Sequence, residues 1–206
     1  MTELDICNAM LAQEGQDPLT TLDPSHPSMA RIRAIIRRQH ERLLGQGYWF
    51  NTPVVELTQN PRGELVLPAN ALAIREYLDT PQTYLTRQGN LLLPTDASPV
   101  PQKVTLRLVV LIPITDMPQV ALEHLAALCQ LEFARTHIKD PTEVDGAMRL
   151  VQETRMALRA EAIRQSQYTP GASTYTPARW AYDRNQVNRL AGHSYHPWDT
   201  LEIGRR

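Results

Sequence analysis

Apolar positions recur every three or four residues at the start of the chain. In residues 2–14, Leu4, Cys7 and Leu11 step this way with Met10 beside them, which predicts a short amphipathic helix. Gly15 is a natural stop for it. "QDPLTTLDPSHPS" follows, with three prolines in thirteen residues, and predicts an ordered loop. The helical period then returns over 28–44. Met29, Ile32, Ile36 and Leu43 form the apolar stripe, flanked by Ile35 and Leu44. Gly45 and Gly47 are expected to supply the positive-φ positions that end this helix.

From Trp49 to about Thr115 the period shortens. "VVELT", "GELVLP", "TYLTR", "NLLLP" and "VTLRLVVLI" are short runs of β-branched and apolar residues separated by turn residues. "TYLTRQGNLLLP" predicts a hairpin, because Gly89 and Asn90 tolerate left-handed turn conformations. In "VTLRLVVLI", Val104, Leu106, Leu108, Val110 and Ile112 point one way and Arg107 the other. That alternation predicts a central strand with one face in the core.

Helical spacing resumes at Pro118. "PQVALEHLAALCQLEFARTHI" puts Leu122, Leu125, Cys129 and Phe133 on one stripe. In the next stretch Asp140 can cap, Pro141 suits the first helical position, and Glu143 completes a capping box. Val144, Met148, Val151, Leu158 and Ala162 carry the stripe, with Arg155 interrupting it. The expected fold class is α+β and mainly helical. Residues 1–47 and 118–167 form an α-helical bundle, and 48–117 form a small inserted antiparallel β-domain. Residues 168–206 form an extended C-terminal tail without periodicity.

That tail holds six of the chain's twelve aromatics and five arginines. Tyr and Trp give large contact area with a polar handle, and Arg adds directional charge. Tyr168, Tyr175, Arg179, Trp180, Tyr182, Arg184, Tyr195 and Trp198 are therefore candidate partner contacts. A tail that wraps its own subunit is the plainer reading of the same residues. A second candidate is the outer face of helix 28–44, where Arg31, Arg37, Arg38 and Arg42 have only Glu41 as a local counter-charge. Acidic partners must lie elsewhere, with Asp5, Glu132, Glu153 and Glu161 as candidates. Arginine is the preferred residue for bidentate intersubunit pairs, although a DNA-contacting helix would carry a similar run.

Charge and composition narrow the function. The chain has 206 residues and a net charge of −1, without the basic excess of a dedicated nucleic-acid binder. Cys7 and Cys129 sit among apolar residues and read as buried thiols in a reducing compartment. The N-terminal residues lack the positive region of a signal peptide, and no apolar run approaches the ~20 residues of a membrane helix. No phosphate-cradling glycine loop, H-E-x-x-H, paired C-x-x-C or G-x-S-x-G is present, so neither catalytic residues nor cofactors are expected. His193 and His196, with Asp199 nearby, offer too few ligands for zinc, and no metal is expected.

"LLGQGYWFNTP" joins the first helical block to the β-region. Its triplet Tyr48-Trp49-Phe50 is a quarter of all the aromatics. Gly47, Trp49 and Phe50 are expected to form a structural junction, with Tyr48 more exposed.

The layout resembles the tail tubular protein A family, the head-to-tail adaptors of short-tailed bacteriophages. "NAMLAQEGQDPLTTLDPSHP" is similar to the family's helix, glycine and P-L-x-T-L loop. The arginine-rich helix ending in "QGYWFN" resembles its Q-x-x-G-W-x-F-N signature. "LVLPANALAIREYL", "YLTRQGNLLLP" and "LIPITDMPQVALEHLAALCQLEFARTHIKDP" match later segments in order, so the resemblance covers about residues 4–168. Two features depart from the pattern. The hairpin's second strand carries Leu91-Leu92-Leu93 in place of aromatics, and the tail is longer and more aromatic.

The resemblance implies a structural protein without catalytic activity or cofactor. It implies a ring of copies, twelve-fold in the family, beneath the portal protein. Such a ring joins the head to the tail nozzle protein, with tail fibres near its lower edge. DNA passes through the channel without sequence recognition. The implied location is the virion tail, assembled in the host cytoplasm and away from membranes. A closed ring needs two different patches on each subunit; basic and acidic helix faces can supply them, and the tail, Tyr168 to Arg206, is the candidate for reaching the portal or a neighbouring subunit. The alternative from the residues alone is a DNA-binding regulatory protein using helix 29–44. An enzyme using His193 and His196 is a third reading.

Overall fold

The computed structural model describes residues 1–23, 25–79, 85–94 and 99–167. Nearly all of these fall in one compact unit, Met1–Gln165. Among the described residues there are four α-helices: α1 (Glu3–Gln13), α2 (Met29–Leu44), α3 (Gln119–Phe133) and α4 (Pro141–Gln167). Six strands lie between α2 and α3: β1 (Val54–Thr58), β2 (Leu65–Val66), β3 (Ala71–Tyr77), β4 (Leu85–Gln88), β5 (Leu91–Pro94) and β6 (Lys103–Val110). The α+β, mainly helical class expected from the sequence is the one observed.

Local signals explain most boundaries. Thr2 and Asp5 form a reciprocal capping box at the start of α1. Gly15 follows its end at φ +69°. The proline-rich loop is tied back by Asn8, whose amide donates to the Leu19 carbonyl (3.0 Å) and accepts from the Leu19 N–H (2.8 Å). Asp140 accepts the Thr142 N–H at 2.9 Å, and Pro141 takes the first position of α4. No Glu143 bond back to the cap occurs among the described residues.

The helices share one core. Ile6, Cys7, Met10 and Leu11 of α1 meet Met29, Ile32, Ile36 and Leu43 of α2 and Leu122, Leu125, Cys129 and Phe133 of α3. Ile6 is fully buried and Leu4 only half-buried, so the α1 stripe is rotated toward Ile6 relative to the expected one. Burial pushes the Cys7 thiol up to about 11 and the Cys129 thiol to about 12, which leaves both protonated and unreactive.

Helix α4 is held differently. Only Ala147 and Leu158 are buried; Val144, Met148, Val151 and Ala162 of the expected stripe are half-covered, and Leu150 and Met156 are exposed. Before α4 the chain makes a π-helical turn, Ala134–Ile138, closed by Lys139 at φ 60°. Thr136 bonds back to the Glu132 carbonyl (2.7 Å) within this widened turn.

Two three-stranded antiparallel sheets form the β-region, in the orders β1-β6-β3 and β2-β5-β4. β6 is central, as its alternation predicts, and Val104, Leu106, Leu108 and Val110 are buried. Ile112 lies beyond the strand and is half-buried. Val109, on the opposite face, is also buried, because the Gly47 junction covers that end of the sheet. The β4–β5 hairpin turns at Gly89, φ +59°. β3 pairs with β6 through two register shifts. Arg87 of β4 reaches across to donate to the carbonyls of Ala71 (2.9 Å) and Leu72 (2.8 Å) on β3.

Candidate functional site: the arginine helix and the junction

Helix α2 exposes its arginines because the buried stripe occupies the rest of its circumference. The four arginines do not form one face. By the helical period Arg37 lies about 100–140° around the helix from Arg31, Arg38 and Arg42. Arg31 and Arg38 border α3 and the π-turn, and Arg37 borders the start of α1.

Their surroundings differ as well. Arg31 donates to Glu14 (3.3 Å) and Ser28 (3.0 Å), lies 3.2 Å from Nδ1 of His137, and places its guanidinium carbon 5.7 Å from the centre of the Phe133 ring. It fastens α1, α2 and the π-turn together. Arg38 pairs with Glu132, which also accepts from the amide of the buried Gln39. Glu132 was among the expected counter-charges; Asp5 instead caps α1, and Glu161 pairs with Arg164 on its own helix. Arg37 and Arg42 make no ion pair among the described residues. With Arg33, which is also exposed and makes no ion pair among the described residues, they are the charges that α2 leaves for another surface.

At the end of α2, Gly45 is right-handed (φ −59°), contrary to the positive φ expected for it. Gly47 alone carries the left-handed turn, at φ +71°. A Cβ there would meet the Val109 side chain at 3.0 Å, and the Gly47 carbonyl accepts from Arg75 at 2.9 Å. Trp49 and Phe50 meet edge to face with centroids 5.0 Å apart, and Tyr48 stacks on Phe50 at 5.6 Å. All three rings are half-buried against the helical core, so Tyr48 is no more open than its neighbours. Burial raises the Tyr48 pKa.

Asn51 completes the junction and was not legible as important. It is fully buried. Its amide donates to the carbonyls of Leu44 (2.9 Å) and Val110 (3.0 Å), and its Oδ1 accepts the Tyr48 N–H (2.7 Å). One side chain therefore clips the end of α2 to the end of β6. An asparagine before a proline-bearing loop reads as a turn residue; only the long-range pairing with β6 reveals the clip.

Two buried histidines lie beside these elements. His124 of α3 bonds Thr154 of α4 at 2.9 Å. Burial, reinforced by Arg155, lowers its pKa from 6.5 to about 4. The folded value lies below the unfolded one, so this contact's stabilisation is complete above the ordinary value and is lost as the pH falls toward the folded one. His40 of α2 is 9 % exposed with a partnerless Nε2, and burial lowers its pKa too. Thermal melts are expected to show the wild-type Tm falling between neutral pH and about pH 5, and His124→Gln to flatten that fall. An equally steep fall in the variant would assign the loss to other groups.

No helix of the described residues is long and apolar enough to cross a membrane, and they contain no cluster of His, Cys, Asp and Glu able to hold a metal. The tail candidates Tyr168, Tyr175, Arg179, Trp180, Tyr182, Arg184, Tyr195 and Trp198 lie outside the described residues, as do His193, His196 and Asp199.

Comparison with known proteins gives two matches. The family described as Tube, tail tubular protein, matches residues 4–168. Tail tubular protein A of Klebsiella phage KP34 is 33% identical over 91 residues, 44% of this chain. The match spans about half of that relative, 48% of its length.

Proposed function

The chain belongs to the tail tubular protein family and is a structural component of a phage tail, and we propose that in that setting it is a ring-forming adaptor. In this reading copies pack side by side, twelve in the family's usual arrangement. The ring joins the portal protein to the tail nozzle protein and surrounds the channel for DNA, with tail fibres near its lower edge. The helical part, 1–47 with 118–167, is the body of each subunit, and the inserted part, 48–117, faces a second partner. The tail, 168–206, engages the portal or a neighbour. The reading has no catalytic step and needs no cofactor.

One observation carries the intersubunit half of this proposal: Arg37 and Arg42 are exposed and unpaired among the described residues, while Arg31 and Arg38 are engaged within the subunit. Exposed charges left unsatisfied in the free subunit suit a heterologous ring contact, and Arg37 and Arg42, about 140° apart on α2, offer them on two flanks. Reversing both charges, Arg37→Glu with Arg42→Glu, is expected to change stability by no more than about 0.5 kcal/mol. It is also expected to cut ring formation on purified portal at least tenfold, read by electron microscopy and mass measurement. Unchanged ring yield would remove α2 from the interface, and failure of the wild-type chain to bind any portal ring would remove the adaptor reading itself.

The DNA-binding alternative gains nothing from the geometry. Two of the arginines that a groove-reading helix would offer to phosphates are committed to Glu14 and Glu132. Steep, salt-sensitive DNA binding in titrations would restore it.

A further inference from the structure

We propose that the groove between the start of α1, the Arg37 flank of α2 and the Pro113–Thr115 step receives residues 197–203 from the tail of a neighbouring copy. This rests on the ring reading and names the surface that the tail would engage.

The groove measures about 900 Å³. It is lined by apolar Ala30, Ala34, Ile36 and Ile114, by Arg33 and Arg37, and by one carboxylate, Glu3. Neither arginine makes an ion pair among the described residues. His40 also lines it, and its Nε2 is a buried ring nitrogen with no hydrogen-bond partner. An apolar trough whose two arginines outnumber the single carboxylate of Glu3 favours an occupant that is apolar and acidic at once.

The tail contains one such stretch. "PWDTLEI", residues 197–203, places Trp198, Leu201 and Ile203 beside Asp199 and Glu202, two of the three carboxylates in 168–206. Trp198, Leu201 and Ile203 can fill the trough while the carboxylates meet Arg33 and Arg37. The family match ends at residue 168, so this segment lies beyond the body that the family shares. About thirty residues separate it from Gln167, an extended span of roughly 100 Å, which is ample to reach an adjacent copy.

A fluorescent peptide of residues 194–206, titrated into the full-length protein and followed by anisotropy, tests the groove without any ring. Saturable binding is expected. Arg33→Glu with Arg37→Glu is expected to weaken it at least tenfold, and a peptide carrying Asp199→Lys and Glu202→Lys to recover it. Absence of saturable binding, or binding indifferent to the arginine pair, overturns the proposal. The source of the segment is tested in portal-bound rings mixed from chains carrying Ala34→Cys and chains carrying Thr200→Cys. Under mild oxidation a disulfide between two chains is expected. No link, a link only when both substitutions share one chain, or a link from Ala34→Cys to the portal overturns it. The peptide titration can fail while the wild-type protein still binds a portal ring, so loss of this inference and loss of the adaptor reading are told apart.

Discussion

Replacing Asn51 with leucine is expected to destabilise the protein by about 2–4 kcal/mol, although leucine has the same number and branching of side-chain heavy atoms. The loss is polar. Three hydrogen bonds disappear, and the Tyr48 N–H is left without the acceptor that holds it at 2.7 Å. The Leu44 carbonyl keeps its bond from the Gly47 N–H, which limits the damage at that end. Asn51→Asp separates the contributions: it retains an acceptor for Tyr48 but removes both donations and buries a carboxylate, so it is expected to cost at least as much as leucine. Denaturant unfolding followed by near-ultraviolet signals of the adjacent rings reads both. A cost below about 1 kcal/mol for leucine would mean that aromatic packing holds the junction without the clip.

Phe133→Ala is expected to cost about 3–5 kcal/mol and to lower Tm on the order of 10 °C. Phe133 is fully buried at the end of α3, with the His137 ring 5.0 Å away and the Arg31 guanidinium over its face. Truncation opens a cavity and also removes the surface against which Arg31 is held, so the Glu14 and His137 contacts loosen with it. Phe133→Leu keeps most of the volume and is expected to cost less than about 2 kcal/mol, which preserves a folded protein for comparison. Equal losses from alanine and leucine would show that ring contacts, not volume, dominate the site. Differential scanning calorimetry on both variants decides between them.

Periodicity made the helices and β6 legible, because a buried stripe leaves a 3.6- or 2-residue signature whatever covers it. Leu122, Leu125, Cys129 and Phe133 are all buried, and β6 is central. β3 was not read as a strand. "ALAIREY" is rich in residues that favour helices, and its pairing with β6 slips twice, which erases the alternation. Its extended form is imposed by β6, some thirty residues onward. The α4 stripe had the right spacing, but spacing reports amphipathicity rather than coverage, and most of that stripe is only half-buried. The arginine run was visible as a charge pattern. Its division into engaged and unengaged members depends on Glu14 and Glu132, which only the fold brings to α2.

Arg87 has a consequence beyond fastening the hairpin. β3 ends its sheet, and an unguarded sheet border is a template on which any extended chain can add itself. The guanidinium already engages two backbone carbonyls of this border strand. Proteins crowded together in a phage tail meet one another's borders continually, and a border strand already bonded by a side chain is expected to be a poorer template for a further strand.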